Sequence, residues 1–122
     1  MKITSFNPLV VSRNADEIVK VFEDLGFRKI HNPEDLNETG ASDTTLENDN
    51  GFRVDVADEQ RVQQDMNFIR MNVDNFKEAY DILISHGFKN TRGDDTLENP
   101  GSKAATMVSP SGLIIALVQH IK

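Results

Sequence analysis

At 122 residues the chain suits a single domain, and a 38% hydrophobic content is enough to bury a core. Twenty acidic against thirteen basic residues leave a formal charge of −7, which opposes a nucleic-acid backbone or an anionic membrane as partner. With no cysteine there is no disulfide, no thiolate nucleophile and no zinc–sulfur site.

Met1–Ser5 lacks the apolar core of a signal peptide, and no apolar run approaches the roughly 20 residues of a membrane span. A cytoplasmic protein is the simplest expectation. In chain order, Ile3–Val11 reads as a strand, with Pro8 marking an irregularity or a position whose missing N–H is tolerated. Asn14 with Glu17 three residues on predicts a capping box, and Ile18, Val21, Phe22 and Leu25 predict the apolar face of a three-turn helix. Gly26 suits the left-handed position that ends a helix.

Phe27–His31 is the next predicted strand, followed by a loop over Asn32–Ser42, rich in Asn, Pro, Glu and Gly. Thr44–Glu47 and Phe52–Ala57 are strands joined by the turn Asn48-Asp49-Asn50-Gly51. A polar linker, Asp58–Asp65, leads to a strand at Met66–Val73 and a helix from Phe76 to His86 with Phe76, Ala79, Tyr80 and Leu83 on its apolar face. Phe88–Thr91 is a further strand and Arg92–Ser102 a second long loop. Strands at Ala104–Val108 and Leu113–His120, joined by Ser109-Pro110-Ser111-Gly112, close the chain.

The second half repeats the first. Asn14 and Asn75, Glu17 and Glu78, Gly26 and Gly87, Phe27 and Phe88, and Gly51 and Gly112 are each 61 residues apart. A fixed-period self-match of this kind marks a duplicated unit. One domain over 1–122 then comprises module one at 1–58, the linker at 58–65 and module two at 66–122.

Period-2 alternation splits the strands into two faces. Val54, Val56, Ile69, Met71, Val73, Ile115 and Leu117 should pack under the helices. Arg53, Asp55 and Ala57, with Phe68, Arg70 and Asn72, and with Ile114, Ala116, Val118 and His120, take the opposite face. His31 at a strand end and His86 in a helix's last turn read as structural. No glycine-rich phosphate loop, no G-x-S-x-G serine and no paired-histidine metal motif is present.

Two modules of strand, helix, Gly-Phe and three strands, ending in Ser-Pro-Ser-Gly-Leu-Ile-Ile-Ala-Leu, resemble the vicinal oxygen chelate superfamily of glyoxalase I, extradiol dioxygenases and fosfomycin- and bleomycin-resistance proteins. Ser109, Ser111 and Leu113 depart from that family's closing pattern. The resemblance implies an α+β fold, with two βαβββ modules in tandem forming a curved eight-stranded mixed sheet. It also implies four metal-ligand positions, usually His, Glu, His and Glu. Counted from the glycines, these fall on Phe6 (Asn7 if the register slips by one), Asp55, Phe68 and Ala116. A phenyl ring and a methyl group cannot hold a divalent cation. The expectation is therefore no metal and no cofactor.

In the family geometry Phe6, Arg53, Asp55, Phe68, Arg70, Asn72, Ala116 and His120 would line one concave cleft. Apolar walls with a few polar groups suit a small organic ligand, and paired arginines suit a carboxylate or phosphate. Two bland alternatives stand beside this: Asp55 neutralising Arg70 or Arg53 as a structural pair, and His120 as a frayed C-terminal histidine. Three functional readings follow. The first is a metal-free small-molecule-binding protein. The second is a glyoxalase-like lyase, isomerase or dioxygenase with a degenerate metal site. The third is an association module with a closed cleft; homodimerisation stays open in all three.

Overall fold

A computed structural model describes residues 1–30, 42–93, 96–99 and 101–120. His31 and most of the expected loop at 32–42 lie outside the described residues, as do 94, 95 and 100 of the second loop. In chain order the elements are β1 (Ile3–Ser12), α1 (Ala15–Asp24), β2 (Arg28–Ile30), β3 (Ser42–Glu47), β4 (Arg53–Asp58), β5 (Met66–Val73), α2 (Phe76–Ser85), β6 (Lys89–Asn90), β7 (Leu97–Asn99), β8 (Ser102–Val108) and β9 (Ile114–His120). This is the tandem βαβββ arrangement. A ninth short strand, β7, pairs antiparallel with β8 inside the segment expected to be a loop.

The chain forms two compact units. An N-terminal unit comprises Asn7–Asn67, and a C-terminal unit comprises Met1–Phe6 with the residues from Phe68 onward. In the N-terminal unit the strands run β2-β3-β4-β1, with β4 parallel to β1 and the other pairings antiparallel. In the C-terminal unit β5-β9-β8-β6 repeats that order, with β9 parallel to β5.

The duplication extends to individual ladder partners. Leu9 pairs with Asp55 as Arg70 pairs with Ala116, and Thr45 with Asp55 as Thr106 with Ala116. Register in a half-buried strand is set by which face must be covered, because a one-residue slip would expose the whole apolar set. Both units therefore keep the same apolar parity. Val54, Val56 and Leu46 pack with Val19 and with Val10, Ala15, Ile18, Phe22 and Phe27. Met71, Val73, Ala105, Met107 and Leu117 pack with Phe76 and Ala79, flanked by Tyr80, Leu83, Phe88 and Ile115.

Two local expectations need correcting on α1. Its buried stripe is Ala15, Ile18, Val19 and Phe22, while Val21 and Leu25 are 53% and 68% exposed. The stripe is the one α2 presents through Phe76, Ala79, Tyr80 and Leu83, so the shared packing surface overrode the local pattern. Asn14 makes no side-chain cap, because its ψ of 45° is not the extended geometry a cap requires. Asn75, with φ −143° and ψ 91°, does cap, accepting from the Glu78 N–H at 3.1 Å. Gln119 on β9 adds a second partner there, its Oε1 accepting from the Phe76 N–H at 2.6 Å.

Gly87 shows why the helix exit is a glycine. Its φ is +88°, and a Cβ there would stand 3.0 Å from Pro110 Cγ.

Candidate functional site

Each unit carries a polar cluster on the strand face turned away from its helix. In the N-terminal unit, β4 alternates Val54 and Val56 toward α1 with Asp55 to the other side. Asp55 is 1% exposed, and its carboxylate accepts from Thr45 Oγ1 at 2.6 Å and from Asn7 Nδ2 at 2.8 Å. Thr45 on β3 is directly opposite Asp55, and Asn7 lies on β1 two residues before its ladder partner Leu9. The carboxylate thus ties three neighbouring strands together. A buried charge is tolerated when such hydrogen bonds replace its hydration.

In the C-terminal unit, Arg70 and Asn72 on β5 share the face opposite α2 and are buried. The His120 ring, half-buried at the end of β9, lies between two partners. Its Nε2 is 3.3 Å from Asn72 Nδ2 and its Nδ1 is 3.2 Å from Ser102 Oγ. Ser102 is the ladder partner of His120, so the strand register itself delivers that contact. The tautomer sets the direction of both contacts: with the ring proton on Nδ1, Nε2 accepts from Asn72 Nδ2 and Nδ1 donates to Ser102 Oγ. Asn72 Oδ1 is buried without a hydrogen-bond partner.

The residues expected at the site are placed as follows. Asp55, Arg70, Asn72 and Ala116 are buried, and Phe68, Arg53 and His120 are half-buried. Phe6 does not turn inward. It is 63% exposed, and its neighbour Asn7 holds the buried position, which is the one-residue shift that the count from Gly26 left open. Arg53 donates from Nε to Glu47 Oε1 at 3.1 Å, a cross-strand pair. His120 is not frayed, since strand pairing and two side-chain contacts hold it. His86 follows the last turn of α2 and is exposed.

Thr45 and Ser102 were missed. Both could have been found by counting back from the hairpin turns, because Glu47 opposite Arg53 places Thr45 opposite Asp55. Ser102 opens β8, although its polar neighbours make Arg92–Ser102 read as a loop.

Among the described residues no three His, Asp or Glu side chains group so as to hold a metal ion. At the four positions assigned by the resemblance, the N-terminal unit presents Asp55 and an Asn7 whose NH₂ points at that carboxylate. The C-terminal unit presents a phenyl ring, Phe68, and a methyl group, Ala116. That donor set does not fit a divalent cation. No helix among the described residues is long and apolar enough to cross a membrane.

No family model matches the sequence, and neither does any curated protein. Solved structures do match. Methylmalonyl-CoA epimerase from Mycobacterium tuberculosis aligns over 96% of this chain and 88% of its own, with a TM-score of 0.67 and 14% identity. A glyoxalase/bleomycin resistance protein/dioxygenase superfamily member from Vibrio splendidus 12B01 aligns over 97% of this chain and 99% of its own, at TM-score 0.64 and 13% identity. The chain has the vicinal oxygen chelate fold. A glyoxalase I mutant from Zea mays shares it at TM-score 0.66 and 9% identity, over 97% of this chain and 43% of the larger enzyme. At these identities the likeness establishes the fold of the vicinal oxygen chelate proteins, while chemistry has to be argued from the site.

Proposed function

We propose that this vicinal oxygen chelate-fold chain is a metal-free, non-enzymatic cytoplasmic protein that binds a small molecule against the strand faces turned from its helices. The observation that carries the reading is what stands at the family's ligand positions. Asp55 is bound up with Asn7 and Thr45, and Phe68 and Ala116 are apolar. The polar groups on those faces are side chains that recognise hydrogen-bonding and charged organic ligands: Arg70, Asn72, Ser102 and His120.

The test combines metal analysis with a thermal-shift screen of small acids and cationic drugs on protein purified without chelator. Binding raises stability by RT ln(1 + [L]/Kd), so a ligand at a hundred times its Kd adds about 2.7 kcal/mol. The expected result is substoichiometric metal and a melting shift from at least one compound class. A stoichiometric divalent ion in the wild-type protein would overturn the proposal in favour of a metal-dependent enzyme.

A further inference from the structure

The internal repeat supplies a control for the polar cluster of the C-terminal unit. Arg70 and Asn72 occupy the ladder positions that Leu9 and Val11 occupy in the N-terminal unit. All four are buried, at 8% and 5% against 5% and 7% exposed. The same backbone therefore packs two aliphatic side chains at these positions without difficulty. Burying a guanidinium and an amide there instead carries a desolvation cost that the fold does not require. The cost is not fully offset within the protein, because Asn72 Oδ1 has no donor.

We propose that Arg70, Asn72, Ser102 and His120 form a subsite for a small carboxylic acid bearing a hydroxyl on the adjacent carbon. This rests on the small-molecule-binding reading above and gives it a ligand class. The ligand hydroxyl donates to Asn72 Oδ1, supplying the missing partner. Its carboxylate adds to the existing partners of the Arg70 guanidinium, a fork that matches a carboxylate's two oxygens. Arg70 and Asn72 are two residues apart on one strand face, about 7 Å between backbones. Ser102 holds the His120 ring through Nδ1. Half-buried His120 is the most exposed of the four, so the ligand enters past its ring.

The probes are lactate, propionate (no hydroxyl) and propane-1,2-diol (no carboxylate), titrated into the full chain and followed by amide and histidine-ring NMR shifts. The variants are Asn72→Val and Arg70→Leu, the replacements that the repeat already carries at Val11 and Leu9. Retention of the wild-type amide spectrum outside the cluster confirms that each variant is folded. Lactate is expected to bind about tenfold more tightly than propionate, a step of about 1.4 kcal/mol, and to shift the His120 ring signals. Asn72→Val should erase that preference while leaving propionate unchanged, and Arg70→Leu should weaken both acids. Equal affinity for lactate and propionate, or a preference that survives Asn72→Val, overturns the subsite but leaves the binding reading standing. The same holds if all three probes fail while another compound in the screen binds. Silence from every compound sinks both.

Discussion

Removing the Asp55 carboxylate should be among the most damaging single changes in the N-terminal unit. In Asp55→Ala the Thr45 hydroxyl and the Asn7 amide lose an acceptor at 2.6 and 2.8 Å in a place water does not reach. Asn7 Nδ2 keeps its bond to the Pro8 carbonyl at 3.0 Å, so what is lost is two charge-assisted hydrogen bonds at about 1.5–3 kcal/mol each, an expected loss of about 3–5 kcal/mol. For a chain of this size that is a fall of roughly 10–20 °C in Tm. Urea unfolding followed by circular dichroism measures it directly, with the midpoint falling and the slope unchanged. The reasoning also makes a non-additive demand. Asn7→Leu/Asp55→Ala also removes the amide N–H that has lost its carboxylate, so it should be more stable than Asp55→Ala alone by about 1–2 kcal/mol. A loss below about 1 kcal/mol for the single variant, or a double variant as unstable as the two singles added together, would refute the three-strand tie.

Two further outcomes are expected. Asn75→Ala should cost about 1 kcal/mol by urea unfolding, because a helix cap is lost, whereas Asn14→Ala should cost at most a few tenths because no side-chain cap exists there. Glu59 accepts from the Arg61 guanidinium at 2.7 Å through both carboxylate oxygens and from the Arg61 backbone N–H at 3.0 Å. The side-chain bonds, then the backbone one, lower its pKa from 4.5 to about 2. Any stabilisation from this depressed carboxylate is present above about pH 4.5 and is lost as pH falls through about 2. Carboxyl-detected NMR titration should find Glu59 titrating well below the exposed carboxylates, and Arg61→Ala should return it to the ordinary range.

Much of this structure could be read from residue pattern. The period-2 split of β4, β5 and β9 placed Val54, Val56, Met71, Val73 and Leu117 under the helices, because alternation follows directly from strand geometry. The fixed spacing of the glycines carried the topology, since a register preserved through helix, turn and strand implies a preserved backbone. The failures have local causes. Val21 and Leu25 fit a helical stripe in sequence, but the stripe actually buried was decided by the strands beneath it. The segment Leu97–Asn99 is short and polar, and its strand character comes from the β8 ladder rather than from its own residues. Phe6 and Asn7 are adjacent on β1, which runs unbroken through Pro8, and counting from a distant glycine does not fix its register to one residue. At the site, identity was more legible than partnership: Asp55, Asn72 and His120 stand out as polar residues, while Thr45 and Ser102 emerge when the hairpin registers are counted out from their turns.

The unit that contains β9 is discontinuous in sequence, because it takes in Met1–Phe6 from the far end of the chain. Lys2 donates its N–H to Asp74 Oδ1 at 2.6 Å and accepts from the Asp74 N–H at 3.0 Å, fastening that short segment beside the start of α2. Severing the chain within Asp58–Asp65, the seam the repeat suggests, would therefore strand these six residues on the wrong fragment. The ancestral duplication is no longer two detachable cassettes, and recombining units from different relatives would need two crossovers, one inside β1 and one inside β5.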